Sequence, residues 1–356
     1  GGGVEGERAE REREMEAGRV LCAEVRECVS ASGQSPRLVL LLAQGEPLAL
    51  AFSQHTEIAA AAAGISLSIR HVSEGGDALK AQIVALNADP DVDGIILQLP
   101  FPSELGDATE MLRHIAPSKD MDGLGSVSVA RYIREARSAF AGRPLPLSSS
   151  ITPAIFKACE EVLFFYGLLP APNFASRPCI VLMGLPAPVE AALVRCLAVA
   201  GCRVWTEASG SSAEEVGRQS ALGRIASADA IVIGSRQPAI VCAQWVRSGA
   251  VLIDVGASTS CAPPRSFVGA TSTPPTLGQG SVARNVHCVS CHDGLAAHIA
   301  AVRMHNVCNA ALIRRGFVEM RDDVSPAPTL LALQNEAKHA PDAVRAEAVG
   351  RIDVLG

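Results

Sequence analysis

The sequence predicts an α/β protein built from two parallel-sheet domains. Three observations predict it. Short apolar runs, Arg37–Leu42 and Gly94–Leu99, have the length and composition of strands buried on both faces. Longer stretches with helical patterning lie between the strands, so the order is strand, helix, strand, helix, strand. After residue 150 a second series opens with a strand, a glycine and a helix, the start expected of a dinucleotide-binding domain. A length of 356 residues accommodates two such domains.

Taken in order, residues 5–16 alternate Glu and Arg and read as a solvated helix or a lead-in without its own core. Met15 to Ser30 then reads as an amphipathic helix, with Val20, Leu21, Val25 and Val29 on one side. The Arg37 strand is followed by a helix from Pro47 to Ala63, ended by Gly64. Ile65 to Val72 alternates like a strand, Asp77 to Asn87 is helical, and Gly94–Leu99 is a buried strand. The Pro- and Ser-rich run Pro144–Ser150 marks a domain boundary. Thr152-Pro153 opens the next helix as N-cap and first helical residue, and that helix ends near Gly167. Strands follow at Cys179–Met183, Cys202–Thr206, Ala230–Ile233 and Val251–Val255, with a helix from about Pro188 to Ala200. Ala257 to Asn285 reads as a long loop and His298 to Arg315 as the last regular helix. The domain plan is therefore a lead-in over 1–17, a first domain over 18–148, a Rossmann-like domain over 149–297, a helix over 298–316 and a tail over 317–356.

Composition narrows the function classes. Apolar residues make up 48% of the chain and charged residues 19%, enough apolar matter for buried cores. A formal charge of -6 gives no general attraction for nucleic acid or anionic membrane. No stretch reaches the ~18–20 apolar residues that a membrane helix needs. The 11 cysteines are scattered rather than spaced as a disulfide framework, which favours an intracellular, reducing compartment, cytoplasmic or mitochondrial.

Three stretches carry more specific information. They are Asp93-Gly94-Ile95-Ile96-Leu97-Gln98-Leu99-Pro100-Phe101-Pro102, Pro117-Ser118-Lys119-Asp120-Met121-Asp122-Gly123, and Trp245 to Gly256. Together they resemble the bifunctional methylenetetrahydrofolate dehydrogenase/cyclohydrolase (FolD-type) family, over roughly residues 18 to 316. The resemblance implies an N-terminal folate-binding α/β domain, a C-terminal Rossmann-like domain and a cleft between them. It also implies NAD or NADP as cofactor, a tetrahydrofolate substrate and a homodimer.

The positions that carry chemistry in the family are altered here. Its catalytic segment, Ser-x-x-Tyr-x-x-x-Lys, places the groups on one helical face. Aligned through Pro47 and Gly64, those positions are Ala49, Phe52 and Thr56. Phe52 keeps a ring that can stack, whereas Thr56 has neither the charge nor the reach of an ammonium group. Cyclohydrolase activity is expected to be lost. Gln98 occupies the family's pocket glutamine and Asp122 its pterin-binding aspartate. Two roles are open for Asp122, pairing with the pterin's N–H donors or bonding the backbone of its own turn.

On the cofactor side, the resemblance places Gly-Arg-Ser-x-x-Val-Gly-x-Pro at Gly184-Leu185-Pro186-Ala187-Pro188-Val189-Glu190-Ala191-Ala192. Gly184 is kept. Leu185 replaces the arginine, Pro186 removes a backbone donor, and Glu190 replaces a glycine that lets the backbone approach a pyrophosphate. Ser209 matches a position near the cofactor ribose, or is a turn residue before Gly210. NAD or NADP binding is expected to be weak or absent. The loop that closes the family's cleft becomes Ser290 to Ile299 and keeps one glycine, Gly294.

His287, Cys288, Cys291 and His292 include a CxxCH pattern, open to a haem, a structural metal or plain semi-buried thiols, of which the last is expected and no metal site is assigned. The chain is thus expected to be a FolD-like pseudoenzyme with a structural or regulatory role, as a homodimer or a subunit of a larger assembly. The alternatives are a single-function dehydrogenase and a folate-binding sensor without turnover.

Overall fold

A computed structural model describes residues 18–33, 35–43, 46–72, 75–100, 102–136, 151–169, 177–207, 222–234, 241, 245–256, 287–290 and 295–315. The lead-in, the Pro144–Ser150 boundary, Ser209, the 257–285 loop, Cys291–Gly294 and the tail lie outside the described residues. The chain divides into two compact units, one formed by 18–154 with the segment from Ile299 onward, the other by 155–298.

In the first unit, helix α1 (18–32) leads to β1 (Arg37–Ala43), α2 (Pro47–Ala63), β2 (Ser66–Val72), α3 (Gly76–Ala88) and β3 (Gly94–Leu97). The sheet is parallel with order β2-β1-β3. β1 stands in the centre, which explains why its sequence is continuously apolar rather than alternating. β2 is an edge strand and its exposed positions are polar, Ser66, Ser68 and Arg70 among them. α2 starts on Pro47 and stops at Gly64, whose φ of 73° continues the chain in the left-handed region. Helices α4 (Ala108–His114) and α5 (Ser126–Ala136) complete this part.

Helix α1 corrects the sequence reading in one respect. Its buried face is Cys22, Val25, Cys28 and Val29, while Val20 is exposed. Val20 lies five residues before Val25, about 500° of helical rotation, so the two cannot share the stripe. The helix that follows Thr152-Pro153 begins at Ala154, one residue later than predicted, and the Thr152 N–H donates to Asn306 Oδ1 at 3.2 Å.

The second unit contains α6 (Ala154–Phe165, from its second residue), β4 (Cys179–Met183), α7 (Ala187–Val199), β5 (Arg203–Glu207), α8 (222–227), β6 (Ala230–Ile233), β7 (Val251–Asp254) and β8 (His287–Ser290). All its strands are parallel, in the order β5-β4-β6-β7-β8. The direction of winding reverses at β4, which pairs with β5 on one side and β6 on the other. Strand β8 is an element the sequence reading missed. It runs through His287, Cys288, Val289 and Ser290 in register with Val251–Asp254, so the first three of the five residues of the CxxCH pattern belong to a sheet. Helix α9 (Leu295–Arg314) begins three residues before the predicted start at His298.

Candidate functional site

Helix α9 enters the first unit with its position set at two points. Asn306 donates to the carbonyls of Met121 and Thr152 at 2.9 and 2.8 Å. At the far end, Arg314 and Arg315 both bind the buried carboxylate of Asp93, just before β3. The apolar residues Ala300, Met304 and Val307 face the core at helical spacing. One turn before Asn306, the same face presents Arg303, which is 5% exposed.

Three separate segments converge on that guanidinium. Asp122, in the turn before α5, receives Arg303 Nε on Oδ1 at 2.6 Å and Nη2 on Oδ2 at 3.2 Å, a two-point carboxylate–guanidinium fork. Arg303 Nη1 donates to Thr56 Oγ1 on α2 at 2.9 Å and to Gln98 Oε1, just past β3, at 3.2 Å. All four residues are buried. Two of the acceptors also donate. The Thr56 hydroxyl donates to the Phe52 carbonyl at 3.1 Å, and Gln98 Nε2 donates to the Leu99 carbonyl at 2.8 Å. That pair of bonds also determines which end of the Gln98 amide faces Arg303.

The structure brings Thr56, Gln98 and Asp122 together on Arg303, a member that sequence reasoning missed. The available signal was an arginine, Arg303, among the apolar residues Ala300, Ala301, Val302 and Met304 of the predicted last helix. Ala49 is fully buried in the core, and Phe52 is half-buried.

Asp122 does not bond its own turn. That job falls to Asp120, whose Oδ2 accepts the Gly125 N–H at 2.8 Å. Burial pushes the Asp120 carboxyl up to about 6, although the N–H groups of Gly125 and Leu124 pull the other way. Gly123, with φ of 65°, closes the turn where a Cβ would lie 2.9 Å from the Pro153 backbone. Lys119, the other cation of this motif, donates to the carbonyls of Leu86, Asn87 and Asp89 at 2.7–2.9 Å and so caps the end of α3.

In the second unit, open sheets of this kind receive ligands outside the carboxyl ends of the strands where the winding reverses. That place lies between β4 and β6. Gly184 follows β4 with φ of 64°, and Leu185 lies against Gly234 at the end of β6. A Cβ on Gly234 would stand 2.5 Å from Leu185 Cδ2, so the glycine is what admits the leucine. Helix α7 starts behind Pro186 as N-cap and carries Pro188 in its first turn. From Pro186 to Val189, only Ala187 and Val189 possess an N–H. Glu190 sits in the first helical turn, partly buried, and that burial raises its carboxyl.

Elsewhere in this unit, α6 buries Lys157, whose Nζ pairs with Glu160 at 2.9 Å and Glu161 at 2.5 Å. Burial holds His298 down to about 4. No group of three or more His, Cys, Asp or Glu side chains suited to a metal occurs among the described residues.

Two parallel α/β units, the second wound from β4 in the dinucleotide-binding manner, define the class of two-unit α/β proteins with a Rossmann-like second unit. The family described as tetrahydrofolate dehydrogenase/cyclohydrolase, catalytic domain, matches residues 10–122. The bifunctional protein FolD of Neisseria gonorrhoeae (strain ATCC 700825 / FA 1090) is 32% identical over 228 residues, covering 62% of this chain and 70% of that protein. FolD of Parasynechococcus marenigrum is 33% identical over 226 residues, covering 63% and 69%. The chain belongs to the FolD family. Among solved structures, the FolD enzyme of Campylobacter jejuni shares the fold with a TM-score of 0.62 at 18% identity, over 84% of this chain and 96% of that one. The Trypanosoma brucei FolD, solved with NADP cofactor and an inhibitor, aligns with a TM-score of 0.61 at 20% identity, over 85% and 95%.

Proposed function

We propose that this member of the FolD family is a pseudoenzyme. It keeps the family scaffold for a structural or regulatory role, as a homodimer or as a subunit of a larger assembly. The observation that carries the reading is the turn between β4 and α7. A helix N-terminus holds a diphosphate through its unpaired N–H groups and positive dipole end. Here two of those donors are replaced by Pro186 and Pro188, Leu185 fills the crevice against Gly234, and Glu190 adds a carboxylate. These residues do not fit NAD or NADP, and no hydride step is derived through either.

The first unit supports the same reading. The cation of the family's proton-handling lysine is missing from Thr56, and its replacement, Arg303, comes from another helix. A guanidinium keeps its proton throughout the working range of proteins, so it supplies charge without acid–base exchange.

Calorimetry of the full chain with NAD, NADP and a reduced folate, run beside an absorbance assay for methenyl product, tests the proposal. No dinucleotide binding and no product are expected. Methenyl product formed with either dinucleotide overturns it and restores a single-function dehydrogenase. Turnover-free binding of folate to the native chain favours a sensor instead.

A further inference from the structure

The cluster around Arg303 is built as a receptor. A buried carboxylate, an amide oxygen and a hydroxyl come from three different segments and converge on one planar cation. Four of the five guanidinium N–H groups are received. The edge that Asp122 reads is two parallel N–H bonds on an N–C–N unit. Guanidines, amidines and 2-amino-4-oxopyrimidine rings, including reduced pterins, all present such an edge.

We propose that Arg303 is an internal ligand of this pocket. It offers the N–H edge that a 2-amino-4-oxopteridine would offer and thereby keeps such molecules out of the native chain. Exclusion is assigned to this one side chain, since Gln98 and Asp122, the acceptors that would recognise the ring, are both retained. The inference goes beyond the pseudoenzyme reading, which rests on the dinucleotide turn of the other unit. Each can fail alone: dinucleotide binding would overturn the first while leaving Arg303 where it is.

The test uses the full chain and its Arg303→Ala variant. The probes are ethylguanidine, ethylamine as a charge control, and 6-methyltetrahydropterin, with no dinucleotide present. Saturating ethylguanidine is expected to raise the Tm of the variant by several degrees, with no rise from ethylamine and none in the native chain. By calorimetry, 6-methyltetrahydropterin should bind the variant at least about tenfold more tightly than the native chain. Equal pterin affinity in both proteins, or a folded variant that binds neither ethylguanidine nor the pterin, overturns the proposal. If the variant does not fold unaided, it is refolded with each amine. Recovery with ethylguanidine alone supports an internal ligand, and the same yield with both sinks it.

Discussion

The side chains of Arg303 and Asp122 meet edge to edge, at 2.6 and 3.2 Å, although 181 residues separate them in the chain. The pair restores charge balance in a buried site. Asp122 is kept from the family motif while the cation expected on α2 is Thr56. A carboxylate without a partner is costly in a low-dielectric interior, so a second cation had to reach it. Helix α9 supplies that cation one turn from Asn306, whose bonds to Met121 and Thr152 hold the helix in register.

The coupling can be measured. Arg303→Met leaves Asp122 buried and unpaired, and should cost about 3–5 kcal/mol in urea denaturation of the full chain. Adding Asp122→Leu removes the orphan and should recover part of that loss. Recovery stays incomplete, since Gln98 and Thr56 still lose their donor. Simply additive losses would show that the two residues act independently.

His298 should make the chain acid-sensitive. Its folded value of about 4 lies below the ordinary 6.5 because burial disfavours the charged ring; nearby Lys157 lowers it further and Glu161 opposes both. Below pH 6.5 the unfolded chain takes up the proton first, so this contribution is full above 6.5 and is lost as pH falls toward 4. The loss is on the order of 3 kcal/mol. His298→Gln should flatten the stability–pH curve in that window; an unchanged slope would contradict the assignment.

Asp120 should act in the opposite sense. Its carboxyl is raised from 3.8 to about 6, chiefly by burial, so its contribution is complete below pH 3.8 and disappears as pH rises through 6. Asp120→Asn keeps an oxygen for the Gly125 N–H and should remove this falling component. Chemical denaturation of both variants between pH 4 and 7 would reveal opposite changes in slope.

Restoring a dinucleotide turn should require the prolines to change as well as the charged residue. Leu185→Arg with Glu190→Gly exchanges an apolar group for a cation and removes a carboxylate, but leaves Pro186 without an N–H. Adding Pro186→Ser supplies that donor. NADP titration should therefore find tighter binding for the triple variant than for the double. Equal affinities would mean that backbone donors at this turn do not matter.

Gly234→Ala tests the packing that closes the crevice. The added Cβ would approach Leu185 Cδ2 to 2.5 Å, and its Cα to 3.1 Å. Thermal unfolding should reveal destabilisation of about 1–3 kcal/mol from overpacking. Combining it with Leu185→Ala should relieve the clash; no relief would place the strain elsewhere.

Much of the fold was legible because burial leaves a local imprint. The apolar run of β1 reports a central strand, and Pro47 and Gly64 bracket α2. Strand β8 was not legible, since its four residues His287–Ser290 are short, polar in part and defined only by pairing with β7. The face of α1 was misread at Val20 because hydrophobicity was followed where the helical rotation between Val20 and Val25 already separates them. In the Lys119–Gly123 turn, the sequence offered two aspartates and no means of telling which one holds the backbone.

By itself, the order of residues determined the two α/β units, the family they belong to and the positions where its usual chemical groups are missing. Tertiary structure alone decided what stands in their place. Arg303 becomes the partner of Asp122 only when α9 packs beside β3, and Leu185 blocks its crevice only because a glycine, Gly234, follows β6. Periodicity and spacing record what each segment does locally, whereas a contact between distant segments depends on packing that no single stretch encodes.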